Sequence, residues 1–228
     1  MFSIIAPLDP IRLKQFKVTK LAYDSMDFKK EFIIPTRNES EVHNYLARNR
    51  LLKDVKLIPY KIDVGFNVSK ALNLGVNNAA YGNIIITSPE VKPVTDVLEQ
   101  LSHFLDKNVI CNVDDQDEHG NLSNLVSSEF RSETPAMYFL GMFKKEDIEA
   151  INGWDEEFMK GYAYEDNDFG DRWVRAGLTF EVHDEIKGVH QYHPRSETLR
   201  GGTAINMQHY HDNIDNGVIK CKNGLKKL

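Results

Sequence analysis

Cysteine is scarce in this chain. The two among 228 residues, Cys111 and Cys221, lie far apart and in no metal-ligand spacing. That argues against a disulfide-stapled fold and points to a reduced, cytoplasmic setting. An excess of basic residues is lacking too. Lys and Arg number 28 against 34 Asp and Glu, a net charge of −6, and no basic stripe runs through the body, so a nucleic-acid backbone is not the expected partner. The one basic cluster, Lys220, Lys222, Lys226 and Lys227, reads as a solvated terminus with, at most, a weak peripheral contact to an anionic membrane surface. Long apolar runs are missing: none approaches the ~20 residues of a membrane helix. The opening Met1-Phe2-Ser3-Ile4-Ile5 is too short and lacks the basic start of a signal peptide. There is no internal repeat and no low-complexity segment.

What is present suits one globular domain with a sizeable core, since 41% of the residues are hydrophobic. Residues 2–6 read as a buried strand that Pro7-Leu8-Asp9-Pro10 breaks, with Pro10 placed for the first turn of a helix carrying Ile11, Leu13, Phe16, Val18 and Leu21. Further strands are expected at 31–34, 55–58 and 83–87, the last one central, and helices at 40–52 and 67–80. This alternation predicts an α/β fold, a mainly parallel sheet with helices on both faces. In such sheets ligands sit at the carboxyl ends of the strands, which directs attention to the loops after Ala6, Ile34, Ile58 and Thr87. Beyond Pro93 the pattern gives a helix to about Leu105, a strand at 109–113, a long polar loop at 114–133, a strand at 136–143, a short helix at 145–151 and a late strand at 178–182. From Ser196 onward periodicity is weak.

The most informative stretch is 153–173, GWDEEFMKGYAYEDNDFGDRW. A Gly-Trp turn leads through an acidic and aromatic loop into a helix starting at Glu165 or Asp166. Phe169, Trp173 and Ala176 then recur at i, i+4 and i+7 on one apolar face. Glu165, Asp166 and Asp168 crowd the first turn, where the helix dipole favours negative charge. They read either as an acidic helix start or as the display of a general base beside aromatic rings that bind a ring-shaped substrate.

Two segments carry a family resemblance. FNVSKALNLG, residues 66–75, resembles the FNxAKxLNxG segment of galactosyltransferases with the GT-A fold, and FLGMFKKEDIEAINGWDEEF…YEDNDFGDRW resembles their C-terminal segment, in which a Gly-Trp turn precedes an aromatic-Gly-Gly-Glu-Asp loop. Family-two glycosyltransferases are similar more loosely. The resemblance runs over roughly residues 1–195. It implies a single GT-A type, Rossmann-like domain over 1–228: a nucleotide-sugar-binding half (1–93), an acceptor-side catalytic half (94–195) and a C-terminal extension (196–228).

By position the resemblance makes Asp166 the general base of an inverting hexosyl transfer and gives Glu165 the acceptor or sugar hydroxyls. It assigns Pro7, Leu8, Asp9, Thr36, Arg37, Asp63, Asn67, Lys70 and Asn73 to the nucleotide-sugar side, Asn73 having loop cross-linking as its alternative. Tyr162 takes the place of a tryptophan that lines the sugar and acceptor sites, with Trp154 and Tyr164 as neighbours. The Asp-x-Asp that should follow the fourth strand is replaced by Ser88-Pro89-Glu90. Glu90 with His193, or with His190 as fallback, would hold Mn2+ or Mg2+, and metal-independent transfer stays open. The implied donor is a nucleotide sugar, a UDP-sugar first, and the acceptor a glycan or lipid-linked hydroxyl. A nucleotidyltransferase would show a Gly-rich basic loop after the first strand, which Pro7-Leu8-Asp9-Pro10 is not. The remaining alternative is a degenerate sugar-binding module of the same fold. Lacking the anchor and stem of secretory relatives, the chain is expected to act in the cytoplasm.

Overall fold

A computed structural model describes residues 1–61, 67–129, 139–161, 163–194 and 202–226. Asp63 and Tyr162 lie outside the described residues.

Among the described residues nine strands form one sheet: β1 (Phe2–Ile5), β2 (Lys30–Thr36), β3 (Val55–Pro59), β4 (Asn83–Thr87), β5 (Val91–Pro93), β6 (Val109–Gln116), β7 (Leu122–Val126), β8 (Leu140–Lys144) and β9 (Glu181–His190). Their order is β3-β2-β1-β4-β8-β6-β9-β5, with β7 paired to β6. β3, β2, β1 and β4 are mutually parallel. β8 is antiparallel to both β4 and β6, so β6, and β9 parallel to it, point the same way as the first four. β4 is central, as expected. Its Ile84, Ile85 and Ile86 and the adjoining Ile4 and Ile5 are fully buried, each worth roughly 2 kcal/mol of burial. They belong to a double-sided strand core, which is why these segments read as unbroken apolar runs.

The described residues form seven α-helices: α1 (Leu13–Asp24), α2 (Glu39–Arg48), α3 (Val68–Asn78), α4 (Val97–Ser102), α5 (Lys145–Ala150), α6 (Glu165–Arg175) and α7 (Ala204–Asp215), the last packed on α6. Asn67 caps α3, its Oδ1 accepting from Lys70 N at 2.9 Å. Gly75 lets α3 lie directly on β1, for a Cβ there would stand 2.3 Å from Ile5 Cγ2.

Several expectations are corrected. Pro10–Arg12 is a separate 3-10 turn, and α1 buries Leu13, Phe16, Thr19, Lys20 and Tyr23. Ile11, Val18 and Leu21 are exposed, so the inward face is rotated from the apolar one. The polar loop expected over 114–133 is, in its described part, a hairpin: Asp114–Gln116 extends β6 and pairs with β7 through the turn at 117–121, closed by Asp117 N–H to Asn121 O at 3.0 Å. The late strand begins at Glu181, and the region after Ser196 contains α7. The backbone of the basic tail is fastened to the body. Asn152 Nδ2 donates to the carbonyls of Cys221 and Lys226, both at 2.8 Å, while Lys226 N–H returns to Asn152 Oδ1 at 3.0 Å. The Lys220, Lys222 and Lys226 side chains still face outward.

Candidate active site

β1, β2, β3, β4, β6 and β9 all end at one edge of the sheet. α6 leads into β9 through residues 176–180, so its C-terminus lies by the start of β9.

At the β1–β4 part of this edge, β1 exits into Pro7-Leu8-Asp9. Leu8 is held by its N–H to Pro35 O at 3.0 Å and is fully buried in the core, so its side chain is closed to a ligand. Asp9 caps the 3-10 turn through Ile11 N–H at 3.2 Å and pairs with Arg37 at 2.8 Å. Thr36, at the end of β2, is buried and accepts Asn38 N–H. β4 exits into Ser88-Pro89-Glu90, and β9 returns alongside β5 with His190 opposite Val91. That pairing lays Gln191 on Glu90: its N–H and its Nε2 reach the Glu90 carbonyl at 3.0 and 2.8 Å.

The Glu90 carboxylate is engaged at both oxygens. Oε1 lies 2.5 Å from Arg12 Nε, and Oε2 accepts Ser88 Oγ–H at 2.7 Å. His193 Nε2 stands 3.7 Å from Oε1, while its Nδ1 faces the Pro194 carbonyl at 3.0 Å. His190 bonds Asp115 across the β6–β9 ladder at 2.8 Å, its ring 5.2 Å from that of His193. The expected metal pair is thus brought together, with an unforeseen arginine on it. These residues do not fit Mn2+ or Mg2+, which require several oxygen ligands. The single carboxylate is committed to a guanidinium and a hydroxyl, and among the described residues no three His, Cys, Asp or Glu side chains converge as a metal site.

On the acid side, Glu165 and Asp166 open α6 and are partly buried. Loss of water, and then the neighbouring Asp166, push the Glu165 carboxyl up to about 7. Burial also raises Asp166, against the opposing bond from Asn167 N–H at 2.9 Å. A carboxylate raised in this way is a stronger base near neutrality. Asp168 is a different kind of acid. It is fully buried and paired to Arg172 at 2.7 Å, and accepts Asn213 Nδ2–H at 2.8 Å. Arg172 donates onward to the Ile151 carbonyl at 2.9 Å.

The turn into α6 is left-handed at two successive residues, Ala163 (φ 64°) and Tyr164 (φ 72°), where the resembling family carries Gly-Gly. Non-glycine residues hold this conformation at a cost of about 1–3 kcal/mol each and only when their surroundings enforce it. The enforcement comes from α7. Asn206, His209, Tyr210 and Asn213 fall at i, i+3, i+4 and i+7 on its inward face. Asn206 Nδ2 donates to the carbonyls of Ala163 at 2.7 Å and Phe158 at 3.0 Å. Tyr210 donates to Asp171 at 2.6 Å, its ring 5.5 Å from Tyr164. His209 bonds Asp155 at 2.9 Å, which raises the imidazole. None of these α7 residues was foreseen.

Trp154 and Asn73 are not ligand-facing. Trp154 is fully buried and stacks on Phe169 with ring centroids 4.0 Å apart. Asn73 is buried and clasps the Trp154 backbone, Nδ2 to its carbonyl at 2.8 Å and Oδ1 from its N–H at 2.9 Å. Gly153 (φ 72°) is required there, since a Cβ would meet Asn73 Oδ1 at 2.4 Å. Tyr164, by contrast, stays partly exposed beside the two acids, and Lys70 is half-buried on α3.

Residues 125–195 match the family described as the N-terminal domain of galactosyltransferase. No curated protein matches the chain in sequence. Among solved structures it is similar to S. aureus TarS 1-349 in complex with UDP-GlcNAc, with a TM-score of 0.65 and 13% identity over 86% of this chain and 59% of that one. It is also similar to the mannosyltransferase PcManGT from Pyrobaculum calidifontis in complex with GDP-Man and Mn2+, with a TM-score of 0.59 and 15% identity over 91% and 60% of the two chains. The chain thus spans about three-fifths of the length of these structures, and it has the GT-A fold of glycosyltransferases. Among the described residues no helix is long and apolar enough to cross a membrane.

Proposed function

We propose that this GT-A chain, with its galactosyltransferase-type segment, is an inverting hexosyltransferase that uses a nucleoside-diphosphate sugar, a UDP-sugar first, and an acceptor hydroxyl on a glycan or lipid-linked precursor. The reading rests on Asp166, a partly buried carboxylate raised by burial, which opens the helix that leads into β9. The donor occupies the β1–β4 side, within residues 1–93, and the acceptor approaches from the α6 side, within residues 94–195. Asp166 takes the proton of the acceptor hydroxyl as that oxygen attacks the anomeric carbon. The carbon–oxygen bond to the diphosphate breaks on the opposite face and the electron pair leaves with the diphosphate. Glu165 and Tyr164 orient the sugar or acceptor hydroxyls. Galactose is the first hexose to test, because the matching segment is a galactosyltransferase one.

Asp166→Asn should lower transfer by about 10²–10⁴-fold, the usual worth of a positioned base, with nucleotide affinity unchanged. Transfer and calorimetry on the same preparation check this. Near-normal turnover in the variant would remove Asp166 from the role. Binding of no nucleoside diphosphate among UDP, GDP and dTDP would instead favour a degenerate binding module.

A further inference from the structure

We propose that Arg12 is the resident cation of the donor site, holding the position over Glu90 and His193 that a divalent metal would otherwise take and meeting the diphosphate itself. The inference rests on the nucleotide-sugar reading above.

Arg12 ends the 3-10 turn that follows β1, and Glu90 lies in the loop that follows β4. Adjacent parallel strands thus deliver one charge each to the same edge. The guanidinium Nε is 2.5 Å from Glu90 Oε1, and the two side chains keep only 15% and 9% of their surface open. A guanidinium carries five N–H donors in a rigid fork suited to phosphate. Here Nε is spent on Glu90, and among the described residues the terminal amino groups make no hydrogen bond. Glu90 fixes Arg12 in place, Ser88 fixes Glu90, and Gln191 fixes the Glu90 backbone. The result is a preorganised cation with its fork available.

A Mn2+ ion on Glu90 and His193 would have to displace this arginine or sit against it. With Ser88 standing where the first carboxylate of Asp-x-Asp would be, the cation over Glu90 is one borne by the chain in place of one borrowed from solution. In transfer, the electron pair that leaves the anomeric carbon goes to the diphosphate oxygen, and the guanidinium balances the added charge without exchanging a proton. Such preorganised stabilisation of developing charge is worth most in a water-poor site.

The test combines calorimetry of UDP and GDP, in EDTA and in Mn2+, with the paramagnetic resonance of Mn2+ added alone. Wild type should bind nucleotide equally in both conditions, within about twofold, and should show no protein-bound Mn2+. Arg12→Ala should lose roughly 10- to 100-fold in EDTA, the range of a charge-assisted phosphate contact, and regain part of it in Mn2+. It should also show a bound Mn2+ signal that disappears in the Arg12→Ala/Glu90→Gln double variant. Arg12→Lys keeps the charge without the fork and should fall between wild type and Arg12→Ala in EDTA, and a thermal melt of Arg12→Ala separates a folding defect from a lost phosphate contact. Wild-type binding that requires Mn2+, or Arg12→Ala with undiminished affinity in EDTA, would overturn the role of Arg12 alone. Absence of nucleotide binding in every condition would overturn the donor reading, and the phosphate role with it.

Discussion

Glu165 shows how one residue can be read by titration. Its folded proton affinity, near pH 7, exceeds its ordinary value of 4.5. As pH rises between these values the unfolded chain ionises first, so stability falls through that window and stays lower above it. Glu165→Gln should therefore be more stable than wild type above pH 7, by roughly 1–3 kcal/mol, and no different well below 4.5, as denaturant unfolding at the two ends would show. The same ionisation places a negative charge beside Asp166 and strengthens it as a base. Turnover should rise as pH passes through about 7 in the wild type and lose that step in Glu165→Gln, read from a pH–rate profile. The pairing of Glu165 with Asp166 was legible because acids at a helix start are a sequence pattern. The orientation of Trp154 and the burial of Leu8 were not, because nothing in a sequence says which side of a loop faces the core. Arg12 escaped notice for a related reason: an arginine in a first helical turn looks like any surface charge until Glu90 is brought to it across 78 residues.

α7 is the element that turns the acidic loop into a fixed display. Asn206→Ala removes both bonds to the Phe158 and Ala163 carbonyls and should cost about 1–3 kcal/mol. With the left-handed Ala163–Tyr164 turn released, turnover should fall roughly 10- to 100-fold while nucleotide affinity stays constant, since small misplacements of a reacting group are costly. The neighbouring Ile205→Ala, on the exposed face, should leave stability within about 0.5 kcal/mol and turnover unchanged. Thermal melts and steady-state kinetics on the pair separate the two faces. Strands β1 to β4 and helix α3 were readable because they bury apolar side chains in runs and at helical spacing. α7 was not, because it buries Asn206 and Asn213 and exposes Ile205, Met207 and Ile214. Hydrophobic periodicity cannot see a helix held by amides. The β6–β7 hairpin was missed for a different reason: its outer strand is short and mostly exposed, so its Leu122 and Leu125 do not read as a core run.

For the molecule as a whole, donor binding and catalysis should separate cleanly. A nucleoside diphosphate at 100 times its dissociation constant adds about 2.7 kcal/mol to stability, which for a chain of this size raises the melting temperature by roughly 5–10 °C. Asp166→Asn should show the same rise in a thermal-shift titration. Loss of the rise would make Asp166 a donor ligand rather than a base. The fastening of residues 221–226 to Asn152 also sets an order of events during synthesis. Asn152 opens the loop that runs to Glu165, yet its partners at 221 and 226 lie 69 and 74 residues further on. At the ribosome's pace of about 5–20 residues per second, some 4–15 seconds pass between the making of the loop and the making of its tether. Until then the strands that precede it can pair, while Glu165 and Asp166, the acids of the proposed site, remain unanchored.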